Sequence, residues 1–114
     1  MAKLPQETIT AIFNLQRRLL ERIDEATATE AMIYQRFGEI EETSPELEQL
    51  QNVRKRAKSS YSRLYTLLLR VAEAQPAATS ATLNLPAQSI EQAEANNAEA
   101  EASVKDVKRN WNLL

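Results

Sequence analysis

The sequence predicts an all-α protein, and its composition and its apolar spacing are the observations behind that prediction. Among 114 residues there are one glycine and four prolines, the two residue types that interrupt helices. Apolar residues recur every three or four positions along two long segments that a short polar break separates. This spacing is typical of helices that pack along one stripe. We therefore predict a long antiparallel, coiled-coil-like helical hairpin, followed by a linker and a C-terminal third helix.

The first helix is predicted over residues 6–42. Pro5 stands just before it, where the missing N–H of proline costs nothing. The predicted stripe is apolar except for Gln16 and Glu30, and it consists of Ile9, Ile12, Gln16, Leu19, Ile23, Ala26, Glu30, Ile33, Phe37 and Ile40. No proline interrupts this segment, so we expect one continuous helix.

The second helix is predicted over residues 45–75. Two local patterns account for its start: Ser44 as the N-cap with Pro45 as the first helical residue, or Thr43 as the N-cap with Glu46 closing a capping box. Its stripe is polar only at Arg54 and consists of Leu47, Leu50, Arg54, Ala57, Tyr61, Leu64, Leu68 and Val71. The short connection makes the two helices antiparallel neighbours over residues 1–75.

The register of the hairpin follows from its two polar exceptions. If Ile40 lies opposite Leu47, then Glu30 comes within one turn of Arg54 and Lys58, and the exceptions on the two helices pair with each other. The first helix is net acidic and the second net basic, which favours the same pairing. Each exposed ion pair contributes only ~0–1 kcal/mol.

Residues 76–88 are predicted to be a linker, because they carry no charge and are bounded by Pro76 and Pro86. Ser89 then matches an N-cap, with Gln92 completing a capping-box pattern. We predict a third helix over 89–114 with Trp111 as its anchor. Two arrangements stay open: this helix packs on its own hairpin, or it crosses to a neighbouring subunit.

The apolar stripe widens at the open end of the hairpin, where the first helix begins and the second ends. A contact between two helices cannot cover this wider patch, so it requires a third helix or another subunit. Trp is also a frequent anchor residue at protein interfaces. The predicted partner-binding residues are Phe13, Leu15, Leu20, Tyr65 and Leu67 at the open end, with Val107, Trp111 and Leu114 on the third helix.

No catalytic constellation is present in the sequence. It has no His and no Cys, and therefore lacks the commonest general base and the thiol nucleophile. Five carboxylates cluster near the break, and a solvated turn is the favoured interpretation over a divalent-ion site; they are Glu39, Glu41, Glu42, Glu46 and Glu48. We expect no enzyme activity, no cofactor and no metal.

Basic residues on the second helix form the best charged candidate site. Lys55, Arg56, Lys58 and Arg63 could contact a nucleic acid or an acidic partner, although structural pairing with the acidic first helix is the favoured use of the basic run. Arg54 and Lys58 can face the acids of that helix, which leaves Lys55, Arg56 and Arg63 to solvent or a partner. The net charge of −2 gives no global attraction to nucleic acid. A second basic group near the open end, Arg17, Arg18, Arg22 and Arg70, either rims an interface or is simply solvated.

These patterns predict a non-enzymatic helical interaction module, such as an adaptor, a regulator or an assembly subunit, that self-associates through the open end. The alternative is a small nucleic-acid-associated protein that uses the basic residues of the second helix. The N-terminus is too polar for a signal peptide, and no apolar run approaches the ~18 residues of a membrane span. We therefore expect a cytoplasmic protein whose partner the sequence does not identify.

Overall fold

A computed structural model describes residues 6–73 and 80–113, with side chains in the third helix described from Ala87 onward. It contains three α-helices: α1 (Gln6–Arg36), α2 (Ser44–Glu73) and α3 (Ser80–Asn110). Each helix contacts both of the others, which confirms the all-α prediction and makes the protein a three-helix bundle measuring 57 × 20 × 17 Å. Of the two arrangements left open by the sequence, α3 adopts the first and packs on its own hairpin.

α1 ends at Arg36, so the predicted end at residue 42 is wrong. The reason is Gly38, the only glycine, which has a φ of +75°. Its N–H lies 3.1 Å from the carbonyl oxygen of Tyr34, which is the bond of a left-handed glycine cap at a helix C-terminus. Phe37 and Ile40 therefore lie beyond the helix and are exposed, rather than continuing the predicted stripe.

Thr43 holds the connection between α1 and α2 together. Its side chain is fully buried, and its Oγ1 accepts a 3.0 Å hydrogen bond from the Ile40 N–H. The Thr43 carbonyl accepts the N–H of Leu47 at 3.0 Å, the first hydrogen bond of the helix. α2 thus begins at Ser44, one residue before the predicted start, and Thr43 is the residue that precedes it.

The core is built from two clusters along the bundle axis. One comprises Ala26, Ile33, Leu47, Leu50, Val53, Ala100, Val104, Val107 and Leu113. The other comprises Ile12, Leu15, Leu19, Ala57, Leu64 and Ala93. The buried stripe of α1 is wider than predicted and includes Arg22 and Thr29, because α1 contacts α3 as well as α2.

α3 begins at Ser80, so the predicted linker is wrong for residues 80–88, and residues 76–79 lie outside the described part of the chain. Ser89 is not an N-cap, because it lies well inside the helix. The prediction took Pro86 as a boundary. Proline removes one hydrogen bond and typically kinks a helix, but here the helix continues on both sides of Pro86.

The C-terminal end of α3 is a Schellman motif. Asn112 has a φ of 55°, and its N–H lies 3.2 Å from the carbonyl oxygen of Arg109, while the Leu113 N–H lies 2.7 Å from that of Lys108. The motif turns the chain so that Leu113 is buried in the core. The predicted contact residue Leu114 lies outside the described residues.

Candidate interaction surface

α3 covers one face of the α1–α2 hairpin, and polar contacts such as the following three mark that face. Arg22 of α1 binds Glu101 through Nη1 and Oε2 at 2.7 Å. Ser60 of α2 accepts a 2.7 Å hydrogen bond from the Asn96 side chain, and Arg63 donates one of 3.0 Å to Gln92. These contacts show which directions on α1 and α2 point toward α3.

Four large apolar side chains lie on the opposite side of the hairpin. Each residue turns a helix by about 100°, so Leu20 lies about 200° from Arg22, and Tyr65 about 200° from Arg63. Phe13 precedes Leu20 by two turns, and Leu69 follows Tyr65 by one. The exposed fractions are 57% for Phe13, 51% for Leu20, 55% for Tyr65 and 45% for Leu69. We call these four residues the uncovered face.

The register of the hairpin brings the members of the uncovered face together. Arg54 Nη2 lies 3.2 Å from Glu30 Oε1, which confirms the predicted pairing of these residues. We count ten residues from this pair toward the open end, back along α1 and forward along α2. Leu20 is then level with Leu64, and therefore lies beside Tyr65. A further two turns bring Phe13 to the level of Val71, about half a turn beyond Leu69. The uncovered face is therefore one patch that spans α1 and α2.

The structure divides the predicted partner-binding residues of the hairpin into two groups. Phe13, Leu20 and Tyr65 are exposed on the uncovered face, as a partner site requires. Leu15 and Leu67 are buried, because they flank the stripe on the side that α3 covers, so they do not belong to an accessible surface. Leu69 was missed by the sequence reasoning, although its position one turn after Tyr65 is a signal that places it on the same face.

The anchor of α3 packs within the chain. Val107 is buried in the core, and the half-buried Trp111 packs against Phe37, with ring centroids 4.9 Å apart. Trp111 therefore lies beside the end of α1, at the opposite end of the bundle from Phe13. Val107 and Trp111 therefore do not contribute to the uncovered face.

Two of the four basic candidates on α2 contact α3 rather than the acids of α1. Arg56 forms a 3.5 Å ion pair with Glu99, and Arg63 binds Gln92. Lys55 and Lys58 are exposed. Arg56 and Arg63, which the sequence left to solvent or a partner, therefore contact α3, because α3 packs directly against their side of α2.

Arg22 was predicted to be solvated or to lie on the rim of an interface, and it does neither. It is buried, with Nη2 at 2.9 Å from Glu25 and at 3.4 Å from Glu21, in addition to its contact with Glu101. A buried guanidinium needs such partners to offset its lost hydration. Arg22 therefore links α1 to α3 within the bundle.

Over residues 6–73 and 80–113, no three His, Cys, Asp or Glu side chains are grouped so as to hold a metal ion. Within the same ranges, no helix has the length and apolar character needed to cross a bilayer. Comparisons with known protein families, with curated proteins and with solved structures found no match to this chain.

Proposed function

We propose that this protein is a non-enzymatic helical interaction module that self-associates through the uncovered face. The observation that supports the proposal is the contiguous patch of Phe13, Leu20, Tyr65 and Leu69. Single exposed apolar residues are ordinary on protein surfaces, whereas contiguous apolar patches mark interaction sites. The patch lies on regular helices, so its side chains are held in fixed relative positions.

Charges beside the patch favour a second copy of the chain as the partner. Arg17 and Asp24 are exposed, lie two turns apart on α1 on either side of Leu20, and form no ion pair with a described residue. A two-fold axis near Leu20 would pack two α1 helices antiparallel, as symmetric dimers require. Arg17 of each copy then faces Asp24 of the other.

Side-chain size is consistent with the same arrangement. The axis that pairs Arg17 with Asp24 also places Phe13 of one copy opposite Ala28 of the other, and Ala28 is exposed. A bulky residue facing a small one allows close packing between helices. The face is thus complementary to itself in both charge and shape.

Nucleic-acid binding has less support. All four residues of the predicted group are exposed, but the charge of Arg56 is paired with Glu99. Lys55, Lys58 and Arg63 are spread around the circumference of α2 rather than clustered. Neutralising several phosphates requires a larger cluster of exposed cations.

The proposal is tested by the mass of the protein in solution as a function of concentration. We expect the native chain to dimerise, and Leu20→Glu to shift it to monomer, because a charge in the apolar patch loses hydration on association. Ile40→Glu is the matched control, since Ile40 is 47% exposed but lies outside the uncovered face, and it should leave the dimer intact. Circular dichroism establishes that both variants fold.

The two-fold geometry has a separate test in charge reversal. Arg17→Asp alone and Asp24→Arg alone should each weaken dimerisation, and the two changes together should restore it. A native chain that stays monomeric up to about 1 mM, a concentration where even weak association of ~4 kcal/mol is detected, would contradict the proposed function. If neither single charge reversal changes the dimerisation affinity, the proposed function still holds but this two-fold geometry is contradicted.

A further inference from the structure

We propose that a cleft between α2 and α3 binds the phosphate monoester group of a small molecule. The cleft has a volume of about 480 Å³, and its polar lining consists of Ser59, Ser62, Arg63, Thr66, Arg70 and Ser89. It borders α3 at Ser89 and extends around α2 to Ser62, which lies two turns before Leu69 of the uncovered face. The cleft and the uncovered face are therefore neighbours on α2 that share no residue, and each proposal has its own test.

The chemistry of the lining matches a phosphate dianion. Arginine presents several N–H donors in a fork that fits phosphate oxygens, and serine and threonine hydroxyls add further donors. Arg63 and Arg70 are two helical turns apart, so both project from the same side of α2. The described residues of the lining include no acidic side chain that would repel an anion.

Gln92 of α3 positions one of these arginines. Its Oε1 accepts a 3.0 Å hydrogen bond from Arg63 Nη1, which uses one of the five guanidinium N–H groups. A neutral partner of this kind orients the guanidinium without cancelling its charge. Arg63 therefore combines a defined position with an undiminished positive charge, as an anion site requires.

Two observations favour a monoester of a small molecule over a nucleic-acid backbone. Two guanidinium groups match the two negative charges of a monoester. Beyond Ser59, the next cation along this edge of α2 is Arg56, which is paired with Glu99. The basic surface is therefore short, and does not continue as a track for a chain of phosphodiesters.

The test is a titration of the full chain with phenyl phosphate, a monoester, and with dimethyl phosphate, a diester, at constant ionic strength. We expect saturable binding of the monoester, seen as amide chemical-shift changes confined to residues 59–70 and 87–92. The Arg63→Gln and Arg70→Gln variants should each weaken it roughly tenfold, as expected for a charge-assisted hydrogen bond. Lys55→Gln, on the same helix but outside the cleft, should bind as the native chain does.

Three results would overturn the inference. The first is the absence of saturable monoester binding up to about 10 mM, a concentration well above the dissociation constants of most specific small-molecule sites. The second is equal affinity for the diester, or unchanged affinity in both arginine variants. The third is a single-stranded oligonucleotide that binds more tightly than the monoester and loses affinity steeply with salt, which would assign the cleft to nucleic acid.

Discussion

The two sides of the α1–α2 hairpin are covered in different ways. On one side, α3 contributes small core residues such as Ala93, larger ones such as Val104 and Val107, and polar contacts through Asn96 and Glu101. On the other side, no described segment covers the large apolar groups of the uncovered face. α3 thus covers the side of the hairpin that carries Leu15 and Leu67, while the four apolar side chains on the other side stay exposed.

This difference shows what each kind of surface can specify. Hydrogen bonds and ion pairs depend on distance and angle, so Arg22–Glu101 and Ser60–Asn96 restrict the register of α3, in addition to the apolar area that its valines bury. Apolar burial is non-directional and increases with area. The uncovered face therefore offers apolar area without such directional contacts, while the side under α3 combines apolar burial with contacts that hold one internal helix in one position.

The largest expected effect comes from replacing, in separate variants, two adjacent leucines that lie on the two sides of α1. Leu19 is fully buried and Leu20 is about half exposed. Leu19→Ala should lower the free energy of unfolding by ~2–5 kcal/mol, because it removes buried apolar contacts and leaves a cavity. Leu20→Ala should lower it by less than ~0.5 kcal/mol. Denaturant titration of dilute protein, followed by circular dichroism, measures both, and similar losses for the two variants would contradict the distinction between the two sides.

A smaller effect is expected at Trp111, which packs against Phe37 at the end of the covered side. Trp111→Ala should cost ~2 kcal/mol, about half the value for a fully buried aromatic residue. Trp111→Phe is the control, because it retains a ring against Phe37 and should lose less. Thermal unfolding followed by circular dichroism compares the three proteins, and an unchanged midpoint for Trp111→Ala would show that this contact does not hold α3 in place.

The smallest expected effect is the coupling between Arg22 and Glu101. A double-mutant cycle with Arg22→Met and Glu101→Gln should give a coupling energy of ~1 kcal/mol, since the pair is partly buried and charge-assisted. The same cycle for the exposed pair of Arg109 and Asp106, 3.9 Å apart, should give less than ~0.5 kcal/mol. Equal coupling in the two cycles would mean that Arg22 does not specifically fix α3 on the hairpin.

Sequence reasoning succeeded where the signal is local and periodic. It identified three helices, the antiparallel hairpin and the pairing of Glu30 with Arg54. It also selected Phe13, Leu20 and Tyr65, three of the four members of the uncovered face. These results depend on residues three, four or seven positions apart, whose relative directions follow from helix geometry alone.

Sequence reasoning failed at two helix boundaries, for two different reasons. Gly38 was a usable local signal for the end of α1, but the apolar residues beyond it suggested a longer stripe. Pro86 was given too much weight as a helix boundary, because α3 continues through it despite the lost hydrogen bond and the steric clash that an interior proline brings. The first error came from neglecting the glycine cap at the end of α1. The second came from treating a proline inside α3 as its boundary.

By itself, the sequence determined the helical class and the apolar stripes, since both arise from backbone propensity and from the period of 3.6 residues. Only the tertiary structure decided which side of the hairpin α3 covers. The contacts that make this choice join residues 79, 36 and 29 positions apart, as in Arg22–Glu101, Ser60–Asn96 and Arg63–Gln92. No local period encodes such separations, so the burial of Leu15 and Leu67 and the exposure of Leu20 and Leu69 followed only from the packing of all three helices.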